Sequence, residues 1–383
     1  MLVVSHGMQA RPAARVLGHV RRAGVVLRED VVAATGLSQA TVSRAITELT
    51  GAGLLRARPD MGRVGAVGRP SVPLQLDADG HGVIGVHLGR LLTTVCLADL
   101  RGRVLERSEH RTPDSLDAAV ELIRSATYEL RFRDQARLIV SGGVVAPWST
   151  LNLPSEDVGR RLGVALGIPV LPVDHITAAA AAEYAMDGQG FAGMTAYLYA
   201  RDTIGFATAE RHGDQTWVTR TSLLSHFPTG STAPCRCRLV GCLEATASDQ
   251  AIAQRAEAEG LIDRPDVRLL YDLAESGSTR AAGTLHERAR VLGRAVAFVR
   301  DMLDCDRIVL VGQGFTSYQA GRGDVIEGFE QTTSLPPIEV AFGRYGSDLQ
   351  EVAASAVALV PFDEDPLDLV RRARSRPAEL FSR

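Results

Sequence analysis

Apolar positions in the first 75 residues recur at helical spacing and predict three helices in a row. Over 11–23, Ala14, Val16, Leu17 and Val20 fall on one side, and Val31 and Val32 mark a second helix from Arg28 to Ala34. That helix meets Thr35-Gly36, and Gly36 suits the left-handed position just past a helix end. After Leu37, Ser38 is a good N-cap for a third helix reaching about Ala52, with Val42, Ile46 and Leu49 on its apolar side. Gln39, Thr41, Ser43, Arg44 and Thr47 fall on the opposite side. Leu54-Leu55 begins a strand, and the stretch from Arg58 to Arg63 reads as the tip of a wing. Gly65, Gly68-Arg69-Pro70 and Pro73 then make an irregular return and a linker into Leu74-Gln75-Leu76.

From His81 the pattern changes to strand–helix alternation. Strands are predicted at Val83–His87, Thr93–Asp99 and Val104–His110, then an amphipathic helix over Leu116–Phe132. A strand at Leu138–Val140, a helix at Val158–Leu166, a strand at Val170–Val173 and an alanine-rich helix over 177–186 follow. A second half opens at Thr195–Tyr199 and ends with a helix over 283–303, a strand at Arg307–Val311 and a helix over 348–359. Two consecutive α/β halves of comparable size are expected. The boundaries are placed at 1–76, 77–185 and 186–383, with the C-terminal helix returning to the first half.

The 383 residues fit two or three domains rather than one core. No apolar run approaches the roughly 18 residues that span a bilayer. The start of the chain lacks the charged flank of a secretory signal, so a cytoplasmic protein with no membrane partner is expected. The net charge of −3 hides an asymmetry: residues 1–75 hold ten Arg against four acids, and the remainder 32 Arg against 41 acids. A basic module fused to an acidic one points to a polyanion as the partner of the first. There is no lysine, which excludes a lysine-dependent phosphate loop or Schiff base.

A helix ending in Gly, a short turn and a Ser-capped helix form the helix-turn-helix arrangement, whose second helix enters the major groove. Ser38, Gln39, Thr41, Ser43 and Arg44 put short polar stems and one guanidinium on that helix, suited to base edges and phosphates. Arg63 and Arg69, on the wing and the arm after it, suit a minor groove. The plainer alternative is a small helical protein–protein domain, and for Arg58 and Arg63 a solvated surface charge. Turn chemistry, polar face, wing and charge together favour double-stranded DNA.

His226, Cys235, Cys237 and Cys242 supply four soft or borderline ligands within 17 residues, a Cys3His set of the kind that closes around zinc. Four protein ligands leave no open position for a catalytic water, so the Zn2+ is expected to be structural. Cys96 and Cys305 lie in apolar surroundings and read as core.

The order of these features resembles the ROK family (repressor, open reading frame, kinase), in its repressor branch. Gly36-Leu37-Ser38-Gln39-Ala40-Thr41-Val42-Ser43-Arg44 matches the family's recognition helix, and Gly68-Arg69-Pro70 its arm. The run from Cys235 to Glu244 matches its zinc signature, with His226 upstream; Asn152-Leu153-Pro154 and the run Asp174 to Glu183 also fit. The resemblance implies an α/β fold: a winged helix-turn-helix followed by an actin-like (ribonuclease H-like) two-lobed ROK body with a sugar cleft, as a homodimer or homotetramer. It also implies sugar contacts at Glu244 and His226.

The family's kinase motifs are degenerate here. His87-Leu88-Gly89-Arg90-Leu91 replaces the first phosphate loop, Arg201-Asp202-Thr203 replaces the Gly-Thr-Gly turn, and His175 stands at the catalytic aspartate. Leu223 replaces a sugar-binding glutamate. Phosphoryl transfer needs those positioning groups, so the expectation is no enzyme but a regulator, repressing carbohydrate or secondary-metabolism genes and answering to a sugar or sugar-derived effector. A sugar kinase and a ligand-independent regulator are the alternatives.

Overall fold

The computed structural model describes residues 2–5, 10–61, 72–185, 191–212 and 215–376. The chain forms two compact units. One holds Val3–Ala178, His212–Thr216 and the chain from Gln350 onward; the other holds Met1–Leu2, Ala179–Arg211 and Trp217–Leu349.

The first unit opens with α1 (Pro12–Ala23), β1 (Val25–Val26), α2 (Arg28–Thr35), α3 (Gln39–Gly51) and β2 (Leu55–Ala57). β3 (Leu74–Leu76) lies between β1 and β2 in a three-stranded antiparallel sheet, pairing Leu55 with Leu76 and Val25 with Gln75. The segment into which the linker was expected to run is therefore the central strand of this sheet. Two side chains of β3 face inward, Leu74 and Leu76, and both are buried.

A five-stranded sheet follows in the order β6 (Val104–Arg111), β5 (Leu92–Asp99), β4 (His81–Leu88), β7 (Leu138–Ala146), β8 (Val170–Asp174). β4 to β6 form an antiparallel meander, and β7 and β8 join in parallel. α4 (Leu116–Arg133) and α5 (Ser155–Leu166) provide the crossovers, burying Ile123, Leu130, Val158 and Leu162. β7 runs well beyond the predicted Val140, through Gly142-Gly143, a pair that reads in sequence as a break. The reason lies on its other face. Gly143 pairs with Gly85, and a Cβ at Gly143 would stand 2.5 Å from the Ala358 nitrogen. The two glycines make a groove in which a helix backbone rests.

That helix is α8, Leu349–Glu364, followed by α9 (Pro366–Arg374). Ser141 Oγ donates to the Ala358 carbonyl at 2.6 Å, and the buried Glu351 receives Arg107 at 2.6 Å. One continuous core runs from Val16, Leu17 and Leu49 of the winged helix to Val83 and Val140 of the sheet. It continues to Phe362, Leu369 and Val370 of α8 and α9. Arg21 pairs with Asp363 at 2.8 Å and Arg11 with Asp365, riveting α1 to the same helices.

The second unit is built on β9 (Thr195–Ala200), antiparallel to β10 (Ile204–His212) and parallel to β11 (Arg307–Val311), with β12 (Glu339–Phe342) beside β11. The long helix α7 (Thr279–Leu303), capped by Ser278, packs Leu292, Val296 and Val299 on this sheet. Both β10 and β12 are absent from the sequence reading, and β12 is only partly buried, which leaves its apolar pattern weak. The alanine-rich helix α6 spans His175–Glu183.

Candidate DNA-reading surface and metal centre

α3 is held from both ends of its turn. Gly36 takes φ 63°, and its N–H donates to the Val32 carbonyl. Ser38 Oγ accepts from the Thr41 N–H at 3.2 Å and lies 2.8 Å from Thr41 Oγ1. Ser38 and Thr41 are thus engaged in the cap. Val42, Ala45, Ile46 and Leu49 are buried at the i, i+3, i+4, i+7 spacing of one helix face. The opposite face presents Gln39, Arg44 and Thr47 to solvent. Arg44 makes no hydrogen bond or ion pair among the described residues. Ser43 is half-buried, and its hydroxyl lies 3.4 Å from Arg28 Nη1.

Arg28 is a residue the sequence reading missed. Its place at the start of α2, beside the middle of α3, follows from the helix-turn-helix packing and not from any motif. Arg58 is tied to Asp60 at 2.6 Å, and Arg56 to Asp79 at 3.0 Å. Arg63 and Arg69 lie outside the described residues.

The four metal-ligand candidates come together. His226, Cys235, Cys237 and Cys242 place their ligand atoms within 4.8 Å of one another. Cys235 Sγ lies 3.7 Å from His226 Nδ1, and Cys237 Sγ 3.6 Å from Cys242 Sγ. A tetrahedral ion with bonds of about 2.0–2.3 Å sets its ligands about 3.5–3.8 Å apart. The donor set fits. Local backbone makes the knuckle: Arg238 and Gly241 both take φ 73°, the Cys235 N–H donates to the Leu239 carbonyl, and Pro228 bridges to Cys242. A Cβ at Gly241 would run into the Ser231 carbonyl, so only glycine closes this turn. Desolvation, with the neighbouring Cys237 and Cys235 thiols, pushes the Cys242 thiol up to about 12. A bound cation would reverse that upward shift and hold Cys242 as a thiolate. Glu244 sits one residue past Cys242-Leu243, its N–H on the Ser225 carbonyl, which brings it beside His226.

The degenerate kinase positions have their own hydrogen bonds. The Gly89 N–H donates to the Leu92 carbonyl at 3.0 Å, and its carbonyl accepts from Thr112 Oγ1. The loop is closed as a hairpin turn, with its backbone donor turned to its own chain. The Arg201 N–H meets the Thr203 carbonyl, and Asp249 returns its N–H to the Arg201 carbonyl. Asp249 also anchors the buried Arg288, which reaches Tyr271 Oη at 2.8 Å and the Ala247 carbonyl at 2.8 Å. His175 is buried, its Nδ1 3.3 Å from an Asp174 oxygen that caps the Ile176 N–H. Leu223 is 46% exposed.

No helix among the described residues is long and apolar enough to cross a membrane. The ROK family profile matches residues 83–319, and a MarR family profile matches residues 6–63. A Mycobacterium tuberculosis protein named as a transcriptional regulator is 33% identical over 394 residues, covering 96% of this chain and 89% of that protein. An N-acetylmannosamine kinase of Shigella flexneri is 26% identical over 245 residues, 60% of this chain and 82% of that enzyme. Among solved structures, a ROK family transcriptional regulator homologous to the Escherichia coli MLC protein superposes with TM-score 0.75 at 20% identity, covering 94% of this chain and 98% of that one. A ROK family glucokinase from Streptomyces griseus gives TM-score 0.62 at 20% identity over 72% of this chain and 99% of the enzyme. The chain belongs to the ROK family, with a MarR-type winged helix-turn-helix ahead of the ROK body.

Proposed function

We propose that this protein is a cytoplasmic, sequence-specific DNA-binding transcriptional regulator, acting as a repressor on double-stranded operators. The observation that carries the reading is α3. Its buried side is locked into the core, and its outer face offers Gln39 and Arg44, with Ser43 and Arg28 beside them. Arg44 on guanine, and Gln39 on adenine, are the pairings their geometry suits in a major groove. Ser38 and Thr41 act mainly by fixing the helix end, where N–H groups meet phosphate. Arg63 and Arg69 supply the wing and arm contacts. A homodimer or homotetramer would match a pseudo-palindromic site.

The body serves regulation rather than phosphoryl transfer. The hairpin-closed Gly89 and the ion-paired Arg201 turn support this, since the Gly89 and Arg201 N–H groups are engaged within their own loops and not free to cradle a phosphate. His226, Cys235, Cys237 and Cys242 would hold one structural Zn2+, which pins the loop between Pro228 and the helix Leu243–Ala247. Glu244 and His226 are the residues positioned to meet a sugar or sugar-derived effector.

Genome-wide mapping of bound sites, followed by gel-shift titration of the recovered sequence, tests the reading. Losing a bidentate base contact of about 1–3 kcal/mol means that Arg44→Ala weakens specific binding about 5- to 150-fold. Operator affinity untouched by Arg44→Ala would remove α3 from the groove. A coupled assay with ATP and a panel of hexoses and N-acetylhexosamines should give no turnover; phosphorylated sugar would return the protein to the enzymes of its family.

A further inference from the structure

A cavity of about 360 Å³ lies within the first unit, under α9 and against α4, the start of β7 and the end of α5. It has room for about a dozen water-sized groups at roughly 30 Å³ each. Its wall is apolar along Leu138, Leu166 and Ile168. Its polar groups are mostly donors: Arg131, Arg374 and Arg376 all line it, and no carboxylate does so among the described residues.

Arg131 and Arg376 are half-buried, and burial holds both below the usual arginine value; Arg131 adds its repulsion to Arg376. The lining residue Thr127 is 6% exposed, and its Oγ1 is buried with no hydrogen-bond partner. Positive charges crowded at a desolvated apolar wall favour a ligand that is acceptor-rich and anionic at one end and apolar at the other. A sugar, ringed by hydroxyls, does not match such a wall.

We propose that this cavity binds a small carboxylate with an apolar tail, and that the bound carboxylate acts on the DNA-reading helix through Arg374. Arg374 Nη2 donates to the carbonyl of Ala52, the C-cap of α3, at 2.7 Å. A carboxylate in the cavity competes with that carbonyl for the same guanidinium. Occupancy of the cavity is therefore linked to how the recognition helix is held. This linkage, unlike the binding itself, rests on the DNA-binding reading.

The test uses the full chain and decanoate as the probe. Calorimetry should show saturable binding at one site, with decan-1-ol much weaker. Arg131→Met and, separately, Arg376→Met should each weaken decanoate about tenfold or more. Thr127→Val, which removes only the hydroxyl, should weaken it by a few-fold. Absence of saturable binding, equal binding of the alcohol, or affinity unchanged in both arginine variants would overturn the site. In a second arm, decanoate should change operator affinity about fivefold or more in the native chain and not in Arg374→Gln. Binding without any change in operator affinity would overturn the coupling. Operator affinity without decanoate reports on the regulator reading by itself.

Discussion

Gly143→Ala is the sharpest test of how the winged helix is supported. The added Cβ would stand 2.5 Å from the Ala358 nitrogen, 2.7 Å from the Ala354 carbonyl oxygen and 2.9 Å from Val357 Cγ1. Two of these neighbours are backbone of α8, so no rotamer change relieves them. To reach an ordinary 3.4 Å contact, the helix has to retreat by about 0.9 Å. That retreat stretches the 2.6 Å bond from Ser141 to the Ala358 carbonyl and pulls Phe362 out of the core it shares with α1 and α3. Overpacking against rigid partners costs about 1–3 kcal/mol, and this geometry belongs at the upper end. At about 2–4 °C per kcal/mol for units of this size, the melting temperature falls by roughly 5–10 °C. Gly142→Ala is the internal control. Its Cβ meets the ends of Val170 and Ile168 side chains at 3.2 and 3.3 Å, which can yield. Thermal unfolding followed by circular dichroism decides. Equal melting temperatures for the two variants would refute the account of α8 resting in a glycine groove.

Zinc analysis of the purified protein should find one ion per chain, and Cys237→Ser or a strong chelator should lower the melting temperature; a metal-free protein of full stability would dismiss the centre. Asp249→Ala strips a buried Arg288 of its carboxylate and should cost about 3–5 kcal/mol in denaturant titration. A loss below about 1 kcal/mol would mean that Tyr271 and the Ala247 carbonyl suffice for Arg288. Burial first, and then the Arg374 charge, hold His81 below its ordinary 6.5. The neutral form is therefore favoured by folding: its contribution is complete above about pH 6.5 and is lost as pH falls through the folded value. His81→Asn should flatten the acid limb of the stability profile, and an unchanged limb would assign that limb to other groups.

Much of this was written in the sequence, and the parts that were not have physical reasons. The helix-turn-helix was legible because capping is local: Gly36 and Ser38 act within four residues of themselves. The Cys3His cluster was legible because its four residues lie on one short loop. The pairing of β3 between β1 and β2 was hidden, since a three-residue strand owes its existence to partners 20 and 50 residues away. The strand was read only to Val140, because Gly142-Gly143 carry no side-chain pattern and are there to give a helix backbone its space. That Arg28 reaches Ser43 depended on the angle between α2 and α3. Composition carries no record of that angle.

The shared core of the first unit also bears on how the protein is made. The winged helix leaves the ribosome well before Phe362, Leu369 and Val370, which complete its core and follow only after the whole ROK body. At roughly 5–20 residues per second, translation separates the two by about a quarter of a minute to a minute. Through that interval the head exposes the apolar surface that α8 and α9 later cover. A premature stop before Gln350 would release a head already translated in full but lacking its lid. The DNA-reading module is thus not a detachable cassette. A chimera that keeps its own head needs to bring its own tail as well.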